Sequence, residues 1–170
     1  MKVILVMAIT LDGKIARSSD HPVNWTGQED KNKFVRITKK AGVVIMGSKT
    51  YDAIGKTLPG RRNIVMTRNK NRISTDDNLI FSDKTPETIV KELHDEGFKE
   101  AAVIGGSIIN SEFAARDLID ELYLTVVPCL FGTGLSLFNC ELHTRLRLLE
   151  IERMNTDYLL LRYAVRKKAG

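Results

Sequence analysis

Met46-Gly47-Ser48-Lys49-Thr50-Tyr51-Asp52-Ala53-Ile54-Gly55-Lys56-Thr57-Leu58-Pro59-Gly60-Arg61-Arg62-Asn63-Ile64-Val65 is the stretch whose reading decides the fold. The apolar run Val43–Met46 stops at a glycine, and a helix-like segment, Ser48–Ile54, starts at once. A proline–glycine turn then leads into a second apolar run, Asn63–Thr67. Strand, helix and strand in that order form the unit of a parallel sheet. Outward from it the same alternation continues. Lys2–Thr10, Leu79–Phe81 and Ala101–Ile104 read as further buried strands, and Gly27–Ala41, Pro86–Glu96 and Ser107–Ala115 as amphipathic helices. Thr85-Pro86 supplies an N-cap and a first-turn proline, and Gly97 a stop. After Asp120 the rhythm changes to Glu121–Val127, Leu146–Met154 and Tyr158–Val165, with Asn155-Thr156-Asp157 as a hairpin turn between the last two. The fold class is α/β, a mostly parallel central sheet closed by an antiparallel C-terminal hairpin.

The chain has 170 residues, 26 basic against 21 acidic, and 43% hydrophobic residues. That length predicts one domain over residues 1–170 with a core large enough to need no staple. The longest apolar run, Val3–Ile9, is too short to span a bilayer, which takes roughly 20 residues. It leads into the turn Leu11-Asp12-Gly13-Lys14 and reads as a strand, not a signal peptide. Cys129 and Cys140 read as semi-buried structural thiols. These features predict a cytoplasmic protein, monomer or homodimer, without membrane partners. The net charge of +5 suits small anionic ligands, and no basic stripe suggests nucleic acid. Arg166-Lys167-Lys168 reads as a solvated tail.

Leu11–Thr26 carries polar and turn residues without periodicity. It lies between the first strand and the first helix, where open α/β sheets place ligands, and reads as a lid. Thr26 and Glu29 have the spacing of a capping box. Along the following helix Glu29, Lys33, Arg36 and Lys40 share one charged face, while Asp30, Phe34, Ile37 and Ala41 share an apolar one. Asp30 is the acid on the apolar stripe. It can orient and help protonate a nitrogen heterocycle, or it can simply answer the helix dipole. Gly47-Ser48-Lys49-Thr50 and Ile104-Gly105-Gly106-Ser107 are two strand–glycine–helix turns whose free N–H groups suit phosphates. Neither matches G-x-G-x-x-G, so a standard Rossmann site is excluded. Arg61 and Arg62 are either surface arginines or a carboxylate clamp. His21, His94 and His143 are scattered and no His/Cys spacing suggests a metal. Walker and G-x-S-x-G motifs are missing, which removes kinase and hydrolase readings.

The stretch Met46–Val65 resembles the signature of dihydrofolate reductases. So do Leu11-Asp12-Gly13-Lys14-Ile15-Ala16, Trp25 with Asp30 five residues on, Phe34, Ile104-Gly105-Gly106 and Tyr123-Leu124-Thr125. Trp25-Thr26-Gly27-Gln28-Glu29-Asp30, Asp120-Glu121-Leu122 and Phe131-Gly132-Thr133-Gly134-Leu135-Ser136-Leu137-Phe138 look more like the reductase domain of riboflavin synthesis. The resemblance implies a dihydrofolate reductase-like fold with helices on both faces, a small-molecule substrate, and NADPH as cofactor. It implies reduction of dihydrofolate, the alternative being a phosphoribosylamino-pyrimidine; a third reading is a binding or assembly module without catalysis. For the folate branch it gives catalytic roles to Asp30, Trp25 and Thr125, with Thr125 bonded to Asp30. Met7, Ala8, Phe34, Ile54, Leu58, Arg61, Ile104 and Tyr123 would contact substrate, Arg61 holding its carboxylate tail. Ala8, Ile15, Gly47, Ser48, Lys49, Thr50, Met66, Thr67, Arg68, Ile104, Gly105, Gly106, Ser107 and Ile108 would hold NADPH, with a cis Gly-Gly bond. Ser48 stands where the family often has arginine, leaving the 2′-phosphate to Lys49, Arg68 or the Ser48 hydroxyl. Leu130–Phe138 reads as a loop over the site or a dimer surface.

Overall fold

A computed structural model describes residues 1–22 and 24–167. The first strand, β1 (Lys2–Thr10), is followed by the short β2 (Lys14–Ala16), then α1 (Gly27–Ala41), β3 (Val43–Gly47), α2 (Ser48–Ile54) and β4 (Arg62–Met66). Next come β5 (Leu79–Ser82), α3 (Pro86–Asp95), β6 (Glu100–Val103), α4 (Ser107–Ala114) and β7 (Glu121–Val127). The chain closes with β8 (Leu135–Ser136), β9 (Arg145–Arg153) and β10 (Leu159–Arg166). Eight strands form one sheet in the order β5-β4-β3-β6-β1-β7-β10-β9. The first six are mutually parallel, and β10 and β9 add antiparallel at the edge.

Alternation along the parallel strands splits the core in two. Val3, Leu5, Val43, Ile45, Val103 and Leu122 face one side, where Ile89 and Leu93 of α3 and Ile109 and Phe113 of α4 pack. Ile4, Val6, Val44, Met46, Val65 and Ala102 face the other, against Phe34, Ile37 and Ala41 of α1 and Tyr51 and Ile54 of α2. The expected helices on both faces are therefore present. Each buried strand needs this two-sided cover because both of its faces are apolar.

Local chemistry explains the helix ends. Thr85 accepts a hydrogen bond from the Thr88 amide with Pro86 behind it, and Gly97 (φ +92°) follows the last turn of α3. Asn155 Oδ1 accepts from the amides of Asp157 and Tyr158, building the β9–β10 turn. The capping box is not formed. Thr26 is buried with φ −91° and ψ −6°, and its side chain makes no capping bond. Its backbone already lies in the helical region, so the hydroxyl is not presented to the amides of the first turn.

Two strands were not expected. Lys14–Ala16 pairs antiparallel with Leu135–Ser136, so the lid segment is tied to the loop before β9. Arg166 ends β10 and Lys167 Nζ meets Asp120 at 2.6 Å, so these two are not a free tail; Lys168 lies outside the described residues. Cys129 is half-buried, its thiol pKa pushed up mainly by burial. Cys140 is exposed, which corrects the expectation of a semi-buried thiol.

Candidate active site

The carboxyl ends of the parallel strands open into a cleft of about 990 Å³, the place where open α/β sheets bind ligands and large enough for a dinucleotide. Gly47 ends β3 and Gly105 follows β6, and these strands are neighbours. The Gly47 amide donates to the Gly105 carbonyl at 2.8 Å, which locks the two turns together. The Gly105–Gly106 peptide bond is cis. A Cβ on Gly47 would meet Ile109 Cγ1 at 3.0 Å, and one on Gly105 (φ +103°) would meet the Met7 thioether at 3.2 Å. Glycine at these positions keeps the floor of the cleft down to bare backbone. The next strand end adds to the wall: Met66 of β4 pairs with Ser82 of β5, and the Thr67 amide donates to the Ser82 carbonyl.

Of the residues expected at the site, the cleft brings together Met7, Ile15, Trp25, Gly47, Ser48, Lys49, Thr50, Met66, Thr67, Arg68, Ile104, Gly106, Ser107 and Ile108. Lys49 and Arg68 form no ion pair among the described residues, so both cations are free to meet phosphate. Gly105, also expected there, is not among the residues that line it. Sequence reasoning missed Ser18, Ser19, His21 and Pro22 on the lid, the Ser82–Pro86 turn, and Glu112 with Arg116. The last pair is self-neutralising, because Arg116 bonds both Glu87 and Glu112. A third strand–turn–helix at the same sheet edge, ending at Thr85-Pro86, was the available signal for Ser82–Pro86.

The lid is anchored at its root. Asp12 accepts from the Thr10 hydroxyl at 2.6 Å and from the amides of Phe131 and Gly132. These bonds, the Thr10 hydroxyl first, hold its carboxyl down to about 2. Gly134 (φ +140°) sits where a Cβ would strike the Ala16 carbonyl. Beyond this root, Trp25 and His21 pack on Phe131 with ring centroids 5.0 and 5.4 Å away, and the Arg17 guanidinium covers the same ring at 4.1 Å.

Asp30, Phe34, Ile54, Leu58, Arg61, Ala8, Tyr123 and Thr125 do not line the cleft. Phe34, Ile54, Leu58 and Tyr123 pack into the core cluster on the α1 side. Asp30 is half-buried and makes no side-chain hydrogen bond among the described residues; the bond from Thr125 implied by the resemblance is not formed. Arg61 is only 4% exposed. Its guanidinium donates to Thr38 Oγ1 and to the Pro59 carbonyl, and burial pulls its pKa down. Arg62 is engaged by Glu96 and covers the Phe98 ring. Tyr123, under the Arg162 guanidinium, is pushed up to about 12, chiefly by burial.

The RibD C-terminal domain family model matches residues 1–160. The chain belongs to that family of reductases with the dihydrofolate reductase-like fold. It is 31% identical over 125 residues to the dihydrofolate reductase of Buchnera aphidicola subsp. Baizongia pistaciae, covering 74% of this chain and 70% of the relative. A Shewanella sp. PV-4 protein provisionally named for riboflavin biosynthesis superposes with a TM-score of 0.84 at 22% identity, over 98% of this chain and all of that one. The Thermotoga maritima diaminohydroxyphosphoribosylaminopyrimidine deaminase/5-amino-6-(5-phosphoribosylamino)uracil reductase gives 0.76 at 20% identity, covering 96% of this chain and 56% of that one. No helix of the described residues is long and apolar enough to cross a membrane.

Proposed function

We propose that this chain is an NADPH-dependent reductase of a phosphoribosylamino-pyrimidine, working as a single cytoplasmic domain. The cleft fits the cofactor: paired glycine turns give it a backbone floor, and Lys49 and Arg68 stand unpaired at its rim. Bound there, NADPH would supply a hydride. Gly47, Gly106 and Ser107 would cradle its phosphates, Lys49 and Arg68 would neutralise them, and Met7, Ile15 and Ile104 would form the apolar seat for the reacting ring. Trp25 and the lid would exclude water from that end. Aligning the nicotinamide with the substrate's reacting carbon in a dry cleft is where most of the barrier reduction arises.

The observation that carries the choice of substrate is Arg61. A substrate with a carboxylate tail needs a free guanidinium, and this one is committed to Thr38 and Pro59 inside the protein. Dihydrofolate is the second reading. Asp30 and Phe34 share one half-buried stripe of α1, and the 31% identical relative carries that activity in its name. An NADPH-oxidation assay offering both substrates separates the readings: the phosphorylated aminopyrimidine is expected to be turned over, and turnover of dihydrofolate alone would reverse the assignment.

A further inference from the structure

Reduction of a C=N bond needs a proton as well as a hydride, and Asp30, the acid expected to supply it, does not line the cleft. His21 does, with its ring centroid 6.3 Å from that of Trp25, which also lines the cleft. Among the lining side chains it is the one imidazole, a group that can both donate and accept a proton. Its ring is fixed edge-on to Phe131 at 5.4 Å, and its amide donates to the Ser18 carbonyl. Nδ1 is buried without a partner, and Nε2 makes no hydrogen bond among the described residues. A buried, unpaired ring nitrogen is a cost that folds seldom carry without a functional reason. The charged groups around it are already engaged. Arg17 lies over Phe131, Asp20 accepts from the Ser19 hydroxyl at 3.2 Å, and Asp12 holds the Phe131 and Gly132 amides. Nε2 is therefore the open proton-carrying atom at the lid end of the cleft.

We infer that His21 Nε2 donates the proton that completes reduction, an assignment that rests on the reductase reading above. Bound NADPH would supply a hydride to the carbon of the C=N bond that the ribosylamino group forms when its sugar ring opens. The π pair becomes the nitrogen lone pair and takes the Nε2 proton, and solvent reprotonates the imidazole. Hydride and proton together account for the two electrons and two hydrogens gained.

The test compares His21→Gln with Asp30→Asn in the same chain, across pH. His21→Gln is expected to lose at least about 100-fold in kcat, the scale of a general acid, and to lose an inflection of the pH profile. Its NADPH affinity, read from the fluorescence of Trp25, should hold, which also shows that the variant is folded. Asp30→Asn should keep the inflection. A His21→Gln enzyme with wild-type kcat and profile overturns the assignment. Imidazole nitrogen spectra of the full chain give a second reading without turnover. The His21 Nε2 resonance should move when the aminopyrimidine is added to the NADP⁺ complex, and a stationary resonance overturns the assignment as well. A moving resonance in a protein that oxidises NADPH with neither substrate keeps His21 as a contact but removes the reductase reading and, with it, proton donation.

Discussion

The two halves of the site are built from different material. The half under the glycine turns is made of strand ends and helix starts, and it stands open. The half around Phe34 and Arg61 is made of side chains, Phe34 packed on the core and Arg61 bonded to Thr38 of α1. Backbone turns at the edge of a sheet are fixed by topology, so a ligand held by N–H groups finds its place preformed. A ligand held by side chains depends on whether those side chains have found other partners first. Here Arg61 has.

The comparison breaks most visibly at Gly105. Alanine there must adopt φ +103° and meet the Met7 thioether at 3.2 Å, at a cost of about 1–3 kcal/mol. Urea unfolding should show that loss, and NADPH binding should weaken with it; an unchanged protein would mean that the floor is not rigid. Arg61→Ala addresses the packed half. Losing its buried bonds should lower stability by roughly 1–3 kcal/mol, while KM for the aminopyrimidine stays put. A raised KM with unchanged stability would return Arg61 to the substrate. Lys49→Ala or Arg68→Ala should weaken NADPH by roughly fivefold, the order of about 1 kcal/mol for an exposed charge, and the effect should shrink in high salt.

The smallest effect is expected at the lid root. Because the Asp12 carboxyl titrates at about 2 when folded, below its ordinary 3.8, its contribution is present above that ordinary value and is lost as pH falls through about 2. Asp12→Asn should therefore speed amide exchange of residues 131–136 at neutral pH and remove the acid dependence of that exchange. Equal exchange in both proteins would show that the β2–β8 ladder holds the lid alone.

What could be read from the sequence follows the same division. The run Val43–Met46 with Gly47, and Ala101–Ile104 with its glycines, announce strands and turns through local pattern, and the structure places them side by side. The ladder of Lys14–Ala16 with Leu135–Ser136 is too short to show alternation, and it joins segments more than a hundred residues apart. Thr26 and Glu29 satisfy the capping pattern, but Thr26 is buried in helical geometry. Arg61 reads as either a surface arginine or a carboxylate clamp because its partner Thr38 lies on α1, a contact that only packing reveals.

A titration of the chain with NADPH, followed by the fluorescence of its single tryptophan, tests the central claim most directly, since Trp25 lines the cleft. Saturable quenching that weakens in Lys49→Ala and in high salt is the expected result. Fluorescence that does not respond to NADPH would show that the cleft across the glycine turns is not a dinucleotide site.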